Sequence, residues 1–206
     1  MRTVRALRTL LLAAVAGALG SCSDSSAPSG GTKLPADLTV VHVAAGSTPL
    51  FNAADSFYAK RGEDRELRIY FQDASGGQGD EYLRLGVDAP TLLALPDGTP
   101  VAVGDSVLIH VRVVDPTQML FELEPSGLRF NPAVPARLTI HYDHASGDLN
   151  DDGVADGQDT AIEGTLAIWR QEKPGDPFVR LSSVLTLDLD EAEAELTGFS
   201  RYALAY

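Results

Sequence analysis

The chain has one cysteine, Cys22, in 206 residues, and two chemistries fall away with that scarcity. An intrachain disulfide needs two cysteines, and a thiolate cage for zinc or an iron–sulfur cluster needs more. Basic residues are also few: 16 Lys and Arg stand against 29 Asp and Glu, a net charge of -13. Affinity for a phosphate backbone comes largely from Lys and Arg, so the balance argues against a nucleic-acid partner. No apolar run reaches the roughly 20 residues needed to cross a bilayer as a helix. What is present in quantity is apolar residue, 44 % of the chain, enough to build the core of one domain.

The first residues carry a targeting pattern. Arg2, Arg5 and Arg8 precede the apolar run Thr9–Gly20, a positive n-region followed by an h-region of signal-peptide length. The run ends in Leu19-Gly20-Ser21-Cys22, which resembles the lipobox of bacterial lipoproteins. That resemblance implies a signal peptide over 1–21, cleavage before Cys22, and a diacylated cysteine as the lipid attachment to a membrane. Asp24 does not directly follow the cysteine, which by the same resemblance implies the outer membrane of the cell envelope. Two acyl chains, at about 0.8 kcal/mol per buried CH₂, would anchor the protein stably. The Ser-, Gly- and Pro-rich stretch 22–37 reads as a flexible tether, which leaves 38–206 as the folded domain.

From Leu38 onward short alternating or β-branched runs are separated by turn residues. In Ser106–Val114, Val107, Ile109, Val111 and Val113 form one apolar face, and in Ala136–Tyr142, Leu138, Ile140 and Tyr142 do the same. Further strands are expected at Leu38–Val43, Glu66–Phe71, Glu81–Val87, Met119–Leu123, Thr165–Trp169, Val184–Leu189 and Phe199–Ala205. Breaks such as Ser75-Gly76-Gly77 and Pro96-Asp97-Gly98 carry turn chemistry. The expected class is all-β, an antiparallel β-sandwich. Helix is expected at Asn52–Lys60 and Asp159–Glu163. The tract Asp188–Glu195 reads as a solvated edge or turn.

The strongest chemical motif is Asp148–Asp159, DLNDDGVADGQD. Oxygen side chains stand at loop positions 1, 3, 5, 9 and 12, namely Asp148, Asn150, Asp152, Asp156 and Asp159. Gly153 occupies position 6, where the chain must turn sharply, and Val154 at position 7 offers a backbone carbonyl. This is an EF-hand-like calcium loop inserted in a β-domain. Its closing Asp in place of Glu resembles the loops of dockerins. The expected cofactor is one structural calcium ion that pins a long connection between strands.

The segment Glu124-Pro125-Ser126-Gly127-Leu128-Arg129-Phe130, then Pro132, Ala133, Val134 and the strand Arg137–Tyr142, resembles the signature of the ZU-type domain of ankyrins and netrin receptors. Trp169 and the closing Gly198-Phe199-Ser200-Arg201-Tyr202-Ala203-Leu204 extend that similarity over about 83–206. The resemblance implies a β-sandwich used for protein contacts. Some members cleave themselves between Phe and Ser with an adjacent His as base. Gly198 stands where that His would be, so no self-cleavage is expected.

Four histidines, His42, His110, His141 and His144, could seed a catalytic centre. No recognisable spacing places a third ligand beside His141 and His144, so they read as a solvated pair at a strand end. Ser75-Gly76-Gly77-Gln78-Gly79 reads as a hairpin loop rather than a phosphate cradle. The expectation is a non-enzymatic envelope lipoprotein that contacts an envelope protein or polymer. A carbohydrate- or peptide-binding module is the alternative, and a secreted hydrolase comes third.

Overall fold

The computed structural model describes residues 30–206. The signal segment and Cys22 lie outside the described residues. The strands in chain order are β1 (Gly30–Lys33), β2 (Ala54–Lys60), β3 (Arg65–Gln72), β4 (Gln78–Val87), β5 (Leu92–Ala94), β6 (Ser106–Val113) and β7 (Leu120–Glu124). They continue with β8 (Arg129–Phe130), β9 (Ala136–His141), β10 (Ala167–Gln171), β11 (Phe178–Arg180), β12 (Ser183–Thr186), β13 (Glu191–Leu196) and β14 (Arg201–Ala205). One helix, α1 (Gly157–Glu163), interrupts them.

A seven-stranded sheet, β1-β11-β10-β14-β7-β6-β2, faces a five-stranded one, β12-β13-β9-β4-β3, and a short pair, β5-β8, stands apart. The named strand pairs are antiparallel. The expected all-β antiparallel sandwich is therefore the observed class. Residues 38–82 belong to both sheets, through β2, β3 and β4.

Period-two patterning decides what lies between the sheets. In β6 the residues Val107, Ile109, Val111 and Val113 are buried while their neighbours are exposed. Leu138 and Ile140 of β9 meet Leu83 and Leu85 of β4 across the five-stranded sheet, all fully buried. Each such side chain contributes about 1.5–3 kcal/mol by leaving water. Ser75–Gly77 lies in the hairpin turn between β3 and β4, as expected, while Gln78 and Gly79 already belong to β4. Asp73 organises it, its Oδ1 accepting from Ser75 N–H (2.8 Å), Ser75 O–H (2.7 Å) and Gly77 N–H (2.8 Å).

A second, smaller cluster covers the outer side of the seven-stranded sheet. Leu38, Ala167, Trp169, Phe178, Ala203 and Ala205 pack there, with Val40. Trp169 donates its indole N–H to the Ala205 carbonyl (3.1 Å), and Lys33 Nζ lies 5.6 Å from the ring centroid. Gly30–Lys33, expected within the tether, is thus a sheet strand paired with β11, and Pro35–Asp37 is a 3₁₀ turn. The apolar anchors Leu38 and Val40 dock this segment onto Trp169, which fixes the polar residues before them.

Three further expectations are corrected. Asn52–Lys60 holds no helix: Ala54–Lys60 pairs along its full length with β6, from Ala54↔Arg112 to Lys60↔Ser106. A helix so short is marginal alone, and seven paired residues outweigh local propensity. Leu38–Val43 makes only isolated bridges, Val40↔Ala205, His42↔Gln118 and Val43↔Ala145. The acidic tract, expected as a solvated edge or turn, is an exposed 3₁₀ turn only at its start, Leu187–Leu189. Glu191–Leu196 is β13, paired on one side with β12 and on the other with β9, and Ala192, Ala194 and Leu196 turn inward.

Candidate functional site

The acidic loop leaves β9 through a turn held by the N-terminal segment. Ser146 N–H donates to the His42 carbonyl (2.8 Å) and Tyr142 N–H to that of Asp190 (2.8 Å). The chain then curls around its own side chains. Asp148 accepts from Asp152 N–H (3.0 Å) and Gly153 N–H (2.7 Å), and Asn150 Oδ1 accepts from the same Asp152 amide (2.9 Å). Asp152 Oδ1 in turn accepts from Val154 N–H (3.0 Å). Oxygens from positions 1, 3 and 5 therefore face the inside of the turn. The curl needs left-handed backbone at Asp151 (φ 57) and Gly153 (φ 90). Asp tolerates that region and Gly adopts it freely, so position 6 is a conformational requirement here.

The loop closes on α1. Asp156 is the N-cap and accepts from Gln158 N–H (2.7 Å), while Asp159 Oδ2 accepts from Asp156 N–H (2.8 Å), a reciprocal capping box. Asp159 Oδ1 reaches back to Leu149 N–H (2.8 Å) and Asn150 N–H (3.2 Å). One carboxylate thus ties both ends of the loop, and it is 4 % exposed. The Asp156 amide foremost, then those of Leu149 and Asn150, hold its carboxyl below the usual Asp range against the opposing effect of desolvation. Asp148 and Asn150 are half-buried; Asp152, Val154 and Asp156 are exposed. The C-terminus joins the site, Tyr206 O–H donating to the Leu149 carbonyl (2.5 Å).

Beside the loop lies a recess of ≈ 480 Å³. Its walls carry five carboxylates, Asp143, Asp156, Asp159, Glu163 and Asp190, and no Lys, Arg or His among the described lining residues. Tyr142 O–H donates to Glu163 (3.5 Å), and burial, with the Glu163 and Asp190 charges, pushes its phenol upward. The loop carboxylates do not close into a tight shell. Among the described residues, the group of three His or carboxylate ligand atoms lying within 4.8 Å of one another is Asp80, Asp143 and His144.

That triad could hold a metal ion. His144 Nε2 lies 3.3 Å from Asp80 Oδ2 and 3.8 Å from Asp143 Oδ2. Its ring stacks on Phe71 at 4.0 Å between centroids, which fixes its plane. Asp80 is the third partner that sequence spacing does not reveal, because it stands 64 residues away and only the β3–β4 hairpin brings it over. His141 points elsewhere, to Glu81 (3.0 Å) and Glu191 (3.5 Å) on the outer side of the five-stranded sheet. The two histidines read as a pair therefore have separate partners. His110 is exposed on β6.

Near the closing strand, Ser200 is buried and its Oγ accepts from Arg170 Nε (3.0 Å). A guanidinium donates and takes no proton, so this contact does not activate the hydroxyl. A Cβ placed on Gly198 would lie 2.7 Å from the Leu128 carbonyl oxygen, so position 198 has no space for a side chain. The chain matches no known family, no curated protein and no solved structure.

Proposed function

We propose that this protein is a non-enzymatic, lipid-anchored module of the bacterial cell envelope whose β-sandwich serves protein contacts and holds one structural calcium ion. The observation that carries the calcium reading is the loop itself: Asp148, Asn150 and Asp152 turn oxygens inward and Asp159 fastens both ends. The residues that would hold the ion are Asp148, Asn150, Asp152, Asp156 and Asp159, with the Val154 carbonyl. Carboxylate oxygens that accept one N–H, as both of Asp148 do, keep a further lone pair for a cation, whereas Asp159 Oδ1 accepts two and leaves that role to Oδ2. The all-oxygen set suits a hard cation, and the three further carboxylates of the adjoining recess, Asp143, Glu163 and Asp190, favour positive charge. The ion would supply cohesion to an otherwise self-repelling connection.

The contact role rests on the ZU-type motifs at Pro125–Phe130, Arg137–Tyr142 and Gly198–Leu204, and the envelope location on the lipobox at Cys22. The expected absence of self-cleavage is supported at Ser200, whose hydroxyl meets a cation rather than a base. A second cation reading has its own observation, the Asp80, Asp143 and His144 triad. An imidazole there suits zinc or another transition metal better than calcium.

Thermal melting with calcium or with chelator tests the reading. Calcium at 100 times its dissociation constant adds about 2.7 kcal/mol, which corresponds to a rise of roughly 5–11 °C for a domain of this size. The rise is lost in Asp148→Ala with Asp152→Ala and kept in His144→Ala. No calcium-dependent rise, or one that survives the loop substitutions, overturns the site. Metabolic palmitate labelling that persists in Cys22→Ser overturns the anchor. An envelope pull-down that captures no partner overturns the contact role.

A further inference from the structure

β4 outruns β9 at the end of the sandwich where the acidic loop begins. The two strands pair from Gly86↔Arg137 to Leu83↔Ile140, and the same register carried three residues further brings Asp80 level with Asp143. Like charges directly opposite one another destabilise a sheet. Among the described residues no Lys or Arg lies within ion-pair distance of either carboxylate, and both turn to a single nitrogen, His144 Nε2, at 3.3 and 3.8 Å. That nitrogen carries at most one hydrogen, so it donates to one of these oxygens and the other faces it without a donor. A divalent cation between the three side chains would neutralise both carboxylates and use the imidazole lone pair.

The spacing identifies the ion. Ligands held about 2.0–2.1 Å from a tetrahedral zinc stand roughly 3.3 Å from one another, and the two nitrogen–oxygen distances here are 3.3 and 3.8 Å. The two carboxylate oxygens lie within 4.8 Å of each other, and Asp80, 72 % exposed, has room to close that gap. His144 is held in place by its stack on the buried Phe71. Calcium takes six to eight oxygens and is poorly served by this set. We propose that Asp80, Asp143 and His144 bind one divalent transition-metal ion of the zinc type, and that the ion clamps the β3–β4 hairpin onto the turn leading into the acidic loop. That turn is itself anchored: Ala145 N–H donates to the Tyr142 carbonyl (2.8 Å), and the His144 carbonyl accepts from Ala44 N–H (2.8 Å) and Ser47 O–H (3.3 Å). The ion therefore joins an overhanging hairpin to a fixed support, and three protein ligands leave the fourth position to water. The proposal rests on the second cation reading above and adds what the ion does to the fold.

The test is calorimetric titration with zinc, with and without saturating calcium, of the full chain carrying Cys22→Ser, which removes its one thiol. One zinc ion per chain is expected in both conditions. Asp80→Asn and Asp143→Asn each weaken its binding at least about tenfold, the loss that even an outer partner of a metal ligand typically causes. Neither lowers the zinc-free melting temperature, since both side chains are exposed. His141→Ala leaves the zinc affinity unchanged. Hydrogen exchange followed by mass spectrometry slows over residues 73–80 when zinc is added to the parent, and does not slow in Asp80→Asn. No zinc uptake, or uptake undiminished in both Asn variants, overturns the site and with it the second cation reading. Uptake that calcium abolishes assigns the zinc to the acidic loop, and uptake lost in His141→Ala assigns it to Glu81, His141 and Glu191; either result overturns the proposal. Uptake that depends on Asp80 and Asp143 but leaves exchange over 73–80 unchanged removes the clamp alone and leaves the second cation reading standing.

Discussion

Gly198 offers the sharpest quantitative test of the backbone around Ser200. Gly198→Ala adds one carbon 2.7 Å from the Leu128 carbonyl oxygen, where ordinary contact begins at 3.4 Å, so roughly 0.7 Å must be found. That oxygen is backbone and cannot rotate aside. It also accepts from Phe199 N–H (3.2 Å), and the same crossing holds Gly127 N–H to Phe199 O (3.0 Å) and Phe130 N–H to Thr197 O (3.1 Å). Phe130 and Phe199 meet edge to face at 4.8 Å across it. Three hydrogen bonds at about 0.5–1.5 kcal/mol each bound the loss at about 4.5 kcal/mol if all break. Overpacking of this kind costs about 1–3 kcal/mol, and partial loss of the bonds places the expectation at about 2–3 kcal/mol. Thermal melting followed by circular dichroism should fall by about 4–12 °C. Gly198→His should fall at least as far and still give one intact chain by mass spectrometry, because Arg170 occupies the Ser200 hydroxyl. A melting temperature within a degree of the parent, or a fragment beginning at Ser200, refutes the argument.

Other perturbations address the loop, the small cluster and acid stability. Tyr206→Phe removes the hydrogen bond to Leu149 and should shrink the calcium-dependent rise in melting temperature while leaving the metal-free value within a few degrees; an unchanged rise refutes the coupling. Trp169→Phe leaves the buried Ala205 carbonyl without its indole partner and opens space in the outer cluster, a loss of about 2–3 kcal/mol by urea denaturation. Asp159 has its folded pKa below the ordinary 3.8, so its contribution is present at neutral pH and disappears as pH falls below that value and through the lowered one. Asp73, Asp97 and Asp115 shift the same way for the same kind of reason, hydrogen bonds from neighbouring backbone and side chains. Stability should therefore hold from pH 7 to about 5 and drop below about 4, with Asp159→Asn flattening part of the drop; a loss centred near pH 6 would point to histidine instead.

The strands that were legible are those whose alternation is strong and whose polar face is wet, β6 and β9 above all. β13 was harder because its inward residues are mostly alanine, so a run of glutamates dominates the local composition. The alternation Glu-Ala-Glu-Ala-Glu-Leu was present, but only its burial against β9 and β12 shows that the alanines face a core. β2 misled for the opposite reason: Ala54–Lys60 has few strongly β-forming residues and becomes a strand because β6 offers it a full-length partner. In the candidate site, the spacing of Asp148–Asp159 announced an oxygen-lined turn, and the helix start at Gly157 follows from Asp156 and Asp159 as cap and third helical residue. The contribution of Tyr206 and Asp190 could not be read locally, since each arrives from a strand end far along the chain.

By itself the sequence determined the class of structure, because period-two burial is a property of neighbouring residues and needs no knowledge of partners. It likewise determined that one loop concentrates oxygen-bearing side chains around a glycine, since that pattern lies within twelve consecutive residues. Only the tertiary structure decided that Asp80 meets His144, that position 198 has no space for a side chain, and that Glu195 and Leu196 border an uncovered edge. Each of these depends on which strand lies beside which, a choice made by the whole core at once through contacts between residues tens of positions apart.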